Sequence, residues 1–175
     1  MKRLLTFFFF LTCTYSYGQQ SNKQSCKIEI FLLKTVVPDT TVQRLKGPFA
    51  AKLSDLQDTA FIKDSEILSY SILNGKAAAF KVASMAGQRL NKVGISLSSG
   101  TQFAVVANGQ IIYTGYFWNL ASSFGCAWVT AYIGDGFIMI LKGLPANAFK
   151  PGYDHILENK LLFDCLKSTN RLIEK

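Results

Sequence analysis

The stretch Phe103-Ala104-Val105-Val106-Ala107-Asn108-Gly109-Gln110-Ile111-Ile112-Tyr113-Thr114-Gly115-Tyr116-Phe117-Trp118 sets the fold class. Phe103, Val105 and Ala107 alternate with Ala104, Val106 and Asn108, the period of two that separates the faces of a strand. The run is apolar on both faces, which predicts a strand covered on both sides. Asn108-Gly109 tolerates the positive backbone angles of a tight hairpin. Beyond the turn, Ile111, Tyr113, Gly115 and Phe117 share one face and Ile112, Thr114, Tyr116 and Trp118 the other.

The same patterns recur on either side. Ile28, Ile30 and Leu32 alternate within a predicted strand from Cys26 to Val37, which Pro38-Asp39 ends. Glu66 to Ile72 and Ala77 to Val82 flank Asn74-Gly75 as a second hairpin. Trp128 to Ile133 and Phe137 to Leu141 form a third around Gly134-Asp135-Gly136. Between these, Ala50, Leu53 and Leu56 suggest a short helix after Gly47-Pro48. Ser84 to Lys92 reads as a helix capped by Ser84, with Met85, Leu90 and Val93 as apolar contacts. Asp154 to Lys167 reads as an amphipathic helix with Leu157, Leu161, Leu162, Cys165 and Leu166 on one stripe. Hairpins with helices between and after them predict an α+β domain: an antiparallel sheet of hairpins, helices packed on one face and a C-terminal amphipathic helix.

The N-terminus carries a different signal. Met1-Lys2-Arg3, an apolar run from Leu4 to Leu11, and small residues at Ser16 and Gly18 have the three parts of a secretory leader cut before Gln19. An apolar stretch of roughly a dozen residues spans about 18 Å as a helix, against about 30 Å of hydrocarbon, which argues against a membrane anchor. A lipoprotein cut before Cys13 competes, although Thr12 is a poor residue to precede such a cysteine. The expected organisation is a signal peptide over 1–18 and one α+β domain over 19–175. The expected product is secreted or periplasmic, with no transmembrane segment in the mature chain.

Loss of Lys2 and Arg3 lowers the formal charge from +8 to +6. A basic surface favours anionic partners without specifying one, and the cations here are scattered rather than run together. The partners this allows are an envelope protein or an anionic cell-surface polymer; nothing signals specific nucleic-acid binding. Outside the cytoplasm a disulfide among Cys26, Cys126 and Cys165 is expected, with all three pairings open. A CxxC pair is absent and His155 is the only histidine, so the sequence gives no metal site.

Catalytic signatures are missing as well. His155 stands alone as a candidate acid or base. Ser122 and Ser123 lack a G-x-S-x-G elbow and read as turn formers. Asp135, Asp154, Glu158 and Asp164 have no spacing that selects a glycosidase pair. No G-x-G-x-x-G or phosphate loop is present, and no cofactor is expected. The aromatic segment with the loop after it, comprising Tyr113, Tyr116, Trp118, Ser122, Ser123 and Trp128, is the candidate ligand-binding site. Tyr and Trp bury large area at low rotamer cost. The competing explanation is core packing: one of the pairs Tyr116/Trp118 and Tyr113/Phe117 should be core while the other faces outward. The reading is a binding domain that is not an enzyme, with a secreted hydrolase of cell-wall polymers as the alternative.

Several segments together resemble a group of small secreted proteins and lipoproteins of Bacteroidetes-type bacteria. They are Ile28-Glu29-Ile30-Phe31-Leu32-Leu33-Lys34, Phe61-Ile62 with Glu66-Ile67-Leu68-Ser69-Tyr70, and Phe103-Ala104-Val105-Val106. To these add Ile112-Tyr113-Thr114-Gly115-Tyr116-Phe117-Trp118, Ser122-Ser123, Trp128 and the Asn170-Arg171-Leu172-Ile173-Glu174 tail. The resemblance covers most of the chain after the leader and implies secretion and a single domain. The strand-Asn-Gly-strand pattern alone is also similar to the periplasmic head domain of the export protein SecD.

Overall fold

The computed structural model describes residues 26–42, 44–73, 75–90 and 92–174. The expected leader, its cleavage point before Gln19 and Cys13 lie outside the described residues. Among the described residues nine strands form one sheet: β1 (Ile28–Leu32), β2 (Leu45–Lys46), β3 (Ile67–Ile72), β4 (Ala77–Val82), β5 (Thr101–Ala107), β6 (Gln110–Phe117), β7 (Gly125–Gly134), β8 (Phe137–Leu144) and β9 (Leu172–Ile173). Two α-helices accompany them, α1 (Ser84–Leu90) and α2 (Lys160–Ser168).

The β5–β6 hairpin turns as its sequence dictates, with φ of 49° at Asn108 and 74° at Gly109. From it the sheet grows in the order β1-β5-β6-β7-β8-β4-β3-β9, with β2 beside the first residues of β7. Most pairings are antiparallel. The parallel ones are β2 with β7, β6 with β7 and β3 with β9. The chain is therefore a mixed α/β protein with a mostly antiparallel sheet core and few helices. The parallel pairings join strands whose connections are not tight hairpins, and so leave no turn signature to read.

The two ends of the strand order are brought together. Ile30 of β1 exchanges two backbone hydrogen bonds of 3.0 Å with Ile62, a few residues ahead of β3. The chain from Asp55 to Ile62 runs along the outer edge of β1, with Lys34 N donating to Asp55 O and Gln57 N to Leu32 O. This covers an edge that would otherwise pair with another molecule. The Asp64 carboxylate then accepts from Ile28 N at 2.7 Å and from Arg171 Nη2 at 2.7 Å. Arg171 also donates to the carbonyls of Asp64 and Ile67, and its own carbonyl accepts from Tyr70 N. Beside this junction Cys26 and Cys165 stand at disulfide distance, Cα to Cα 5.1 Å, joining the residue ahead of β1 to α2. Of the three pairings open in the sequence, this is the one the fold permits; Cys126 is buried and free.

Inside the curled sheet lie Ile28, Ile30, Phe103, Val105, Phe117, Val129, Ile138, Ile140, Phe80 and Tyr70, closed over by Leu162, Cys165 and Leu166 of α2. Each such aliphatic or phenyl side chain contributes roughly 1.5–3 kcal/mol by leaving water. Helix α2 starts where Asn159 accepts from Leu161 N and Leu162 N. Residues 156–158 form a separate 3-10 turn, so the helix expected from Asp154 is shorter than its apolar pattern.

Two further expectations are corrected. Residues 41–58 hold no α-helix among those described; β2 and a 3-10 turn at Leu53–Asp55 stand there. Gly47 lies so close to Thr40 that a Cβ would meet its atoms, and Phe49 is drawn under Tyr116 instead of onto a helical stripe. In α1, Met85 is 71% exposed while Ala86 is fully buried, so the small residue makes the contact expected of the large one. That helix is held by Arg89, which reaches the Glu66 carboxylate at 2.6 Å and the Phe61 carbonyl at 3.1 Å. The ion pair and hydrogen bond with Arg89 lower the Glu66 pKa against the effect of burial.

Replacing Asp64 with alanine strands the Arg171 guanidinium, whose side chain is 12% exposed, and leaves Ile28 N without its acceptor. The expected cost is about 2–4 kcal/mol, read as a fall in the urea midpoint at unchanged m-value; a change within 0.5 kcal/mol would show that the junction is not structural.

Candidate functional site

The aromatic segment divides between faces as its alternation requires, yet neither face is open. Tyr113 and Phe117 point into the curled sheet, where Phe117 packs on Phe103 at 4.7 Å and on Phe61 at 6.0 Å. Tyr116 and Trp118 lie on the opposite face, 6.1 Å apart and edge to face, with Phe49 5.0 Å from Tyr116. All four are at most 3% exposed, so the expected outward-facing pair is covered. Asp39, Gly47 and Phe49 meet Tyr116, and Gly100 lies against Trp118.

The remaining residues of the sequence candidate are spread out. Trp128 is buried, donates to Thr114 Oγ1 at 3.1 Å and stacks on Phe149 at 5.9 Å. Thr114 in turn donates to the Phe49 carbonyl. Ser122 donates to the Leu97 carbonyl and accepts from Phe124 N, which makes it a loop fastener; Ser123 is exposed. The acidic candidates do not converge either. Asp154 and Glu158 line different clefts, and Asp164 is paired with Lys160 on the surface of α2. His155 is exposed and stands 3.8 Å from Glu158.

What the aromatic segment does offer is a single hydroxyl. Tyr116 Oη lies 2.8 Å from Asp39 Oδ2 and 3.0 Å from the Gly47 carbonyl, at the base of a cleft of about 410 Å³. One wall is a strap, residues 33–39; the other is formed by Ser99, Gly100, Thr101 and Gln102. Both ends of the strap are fixed: at its start Leu33 N donates to the Gln102 carbonyl at 3.3 Å and Lys34 N to the Asp55 carbonyl at 2.8 Å. Gln102 clamps Val37 by donating from Nε2 to its carbonyl at 2.8 Å and accepting from its N–H at 2.7 Å. Asp39 anchors the far end, accepting from Thr41 N, Thr41 Oγ1 and Tyr116, with Lys46 Nζ 3.5 Å away.

The electrostatics follow from this packing. Burial raises the Asp39 pKa, but the hydrogen bonds from Thr41 and Tyr116 and the charge of Lys46 outweigh it, so the carboxyl titrates below its ordinary value. The Tyr116 phenol is pushed far up, first by burial and then by the adjacent carboxylate, and stays protonated as a donor. Burial likewise raises the free Cys126 thiol to about 12, which removes it as a nucleophile. Among the described residues no cluster of three or more His, Cys, Asp or Glu could hold a metal ion. No described helix is long and apolar enough to cross a membrane.

Asp39, Gln102 and Lys46 were not singled out in the sequence. The signal existed: Pro38-Asp39-Thr40-Thr41 has the form of an Asx turn, and Gln102 is a polar residue opening an apolar run. Compared with known proteins, the chain matches no protein-family model and no curated protein.

Two outcomes follow. Trp118→Ala should cost about 3–5 kcal/mol in urea unfolding, the range for emptying a buried aromatic site; a cost below 1 kcal/mol would mean the indole is not core. Because folding holds Asp39 below the ordinary carboxylate pKa, the unfolded chain takes up its proton first as pH falls. The stability gap between wild type and Asp39→Asn should be full at pH 7 and shrink progressively below about pH 4. A gap that is constant between pH 7 and pH 2.5 would remove the ionised anchor.

Proposed function

We propose that this chain is an extracytoplasmic binding domain, not an enzyme, and that it takes a small polar ligand in the cleft beneath the strap. In this reading the leader directs it out of the cytoplasm, and the helices, with α2 as an amphipathic lid, close one face of the sheet. The observation that carries the proposal is the double fastening of residues 33–39. A wall clamped by Gln102 at Val37 and by Tyr116 at Asp39 keeps the cleft open before a ligand arrives, and so lowers the ordering cost of binding.

Chemistry of the walls supports a polar occupant. Thr35, Ser99 and Thr101 bring hydroxyls to the cleft, Lys34 and Lys46 bring cations, and Val36, Val37 and Pro38 bring apolar surface. A few placed polar groups among apolar ones is the usual make-up of a ligand pocket. The carboxylate and phenol at its base are occupied by each other, by Thr41 and by the Gly47 carbonyl, which favours a structural role for them over proton transfer.

The test is an NMR fragment screen of small sugars, amino acids and organic acids against the isotope-labelled protein. At least one class should shift the amide signals of Thr35, Val36, Ser99 and Thr101 together. Ser99→Tyr, which fills the cleft, should abolish the shifts while leaving the melting temperature within about 2 °C. Shifts scattered over the surface, or persisting in Ser99→Tyr, would place binding elsewhere.

A further inference from the structure

A second surface, built from other elements, has the chemistry of a polyanion site and does not depend on the strap cleft. Lys142 N donates to the Lys76 carbonyl at 3.1 Å, so these two lysines face each other just beyond the pairing of Ala77 with Leu141. Like charges opposite one another on paired strands are destabilising. They nevertheless line a cleft of about 410 Å³ together with Phe149 and Asp154, the only carboxylate among its described lining residues. Lys142 Nζ is held by the Asp154 carbonyl oxygen at 2.6 Å.

The adjoining platform adds a third cation and an aromatic ring. Lys150 follows Phe149, is anchored through its N–H to the Ala127 carbonyl at 3.0 Å, and carries its ammonium 5.9 Å from the centre of the Tyr153 ring. Tyr153 is 44% exposed and rests edge to face on Trp128 at 4.9 Å. Trp128 therefore serves this surface from beneath, as a support for Phe149 and Tyr153. Lys76 and Lys142 line the cleft and Lys150 directly follows Phe149 of its wall, so three cations gather along one stretch of a basic surface.

We infer that the Lys76, Lys142 and Lys150 surface binds an acidic polysaccharide, its acid groups meeting the ammonium groups and its sugar rings packing beside Phe149 on the cleft wall. Lys150 caps the Tyr153 ring, which disfavours a nucleic-acid base stacking there and favours an acid group beside the ammonium.

The experiment uses polygalacturonate oligomers as the probe, with neutral dextran and single-stranded DNA of matched charge as comparisons, at two salt concentrations. Wild type should bind polygalacturonate with an affinity that falls as salt rises and should ignore dextran. The double variant Lys76→Gln with Lys150→Gln should bind at least tenfold more weakly. The control pair Lys81→Gln with Lys92→Gln, exposed lysines outside this cleft, should stay within twofold. Equal loss in both pairs would reduce the effect to net charge and overturn the site; so would unchanged affinity in the first pair. Tighter binding of the DNA than of polygalacturonate would overturn the polysaccharide assignment. Lys150→Gln alone, at an exposed residue, supplies the answer should the double variant fail to fold; it should bind at least threefold more weakly, and unchanged affinity would count against the site.

Discussion

The Asp64 carboxylate holds three parts of the chain that are distant in sequence: the first strand through Ile28 N, its own turn ahead of β3, and the final strand through Arg171. A sheet of nine strands laid flat would expose two edges and one greasy face. Rolling it up removes both problems at once, but only if something fixes the seam. An ion pair sheltered from water does this well when its remaining hydrogen-bonding capacity is used, and here Arg171 spends its other donors on Thr169 and on the carbonyls of Asp64 and Ile67. The rest of the architecture, including the strap laid across β6, is assembled on that seam.

The rolled sheet explains why so much aromatic mass is silent. In an open two-layer α+β arrangement, one face of β6 would face solvent and Tyr116 with Trp118 would be an obvious docking stripe. Here the strap and Phe49 take up that face, and the segment becomes a floor. Its contribution to recognition is indirect, through the position of one hydroxyl. Trp128 has the same standing on the opposite side of the molecule's aromatic network: it braces Phe149 and Tyr153 and contacts solvent hardly at all.

Local signals in the sequence were sufficient for hairpins. Asn108-Gly109 and Gly134-Asp135-Gly136 each mark a turn that exists, and the alternation beyond the first separates Tyr113 and Phe117 from Tyr116, whereas the register shift at Ile111–Tyr113 has no local signal. What local signals could not convey were contacts between segments far apart. The strands β2 and β9 are two residues long and owe their existence to parallel partners, β7 and β3. The stretch from Thr41 to Asp58 misleads because Leu53 and Leu56 sit at helical spacing for unrelated reasons, one being exposed and the other buried beneath Ala104 and Val106. The cleft was invisible for the same cause: Asp39 and Tyr116 are 77 residues apart, and nothing local in either announces the other.

The pairing of Cys26 with Cys165 also changes the topology of the molecule. With that bridge formed, the chain from Cys26 to Cys165, most of the described residues, is a single covalent ring. One cut in any surface loop within the ring, such as the one around Pro151-Gly152, opens it without releasing a fragment. A protein working among extracellular proteases would thereby survive a first nick in one piece, with its two ends still tethered and able to close up again.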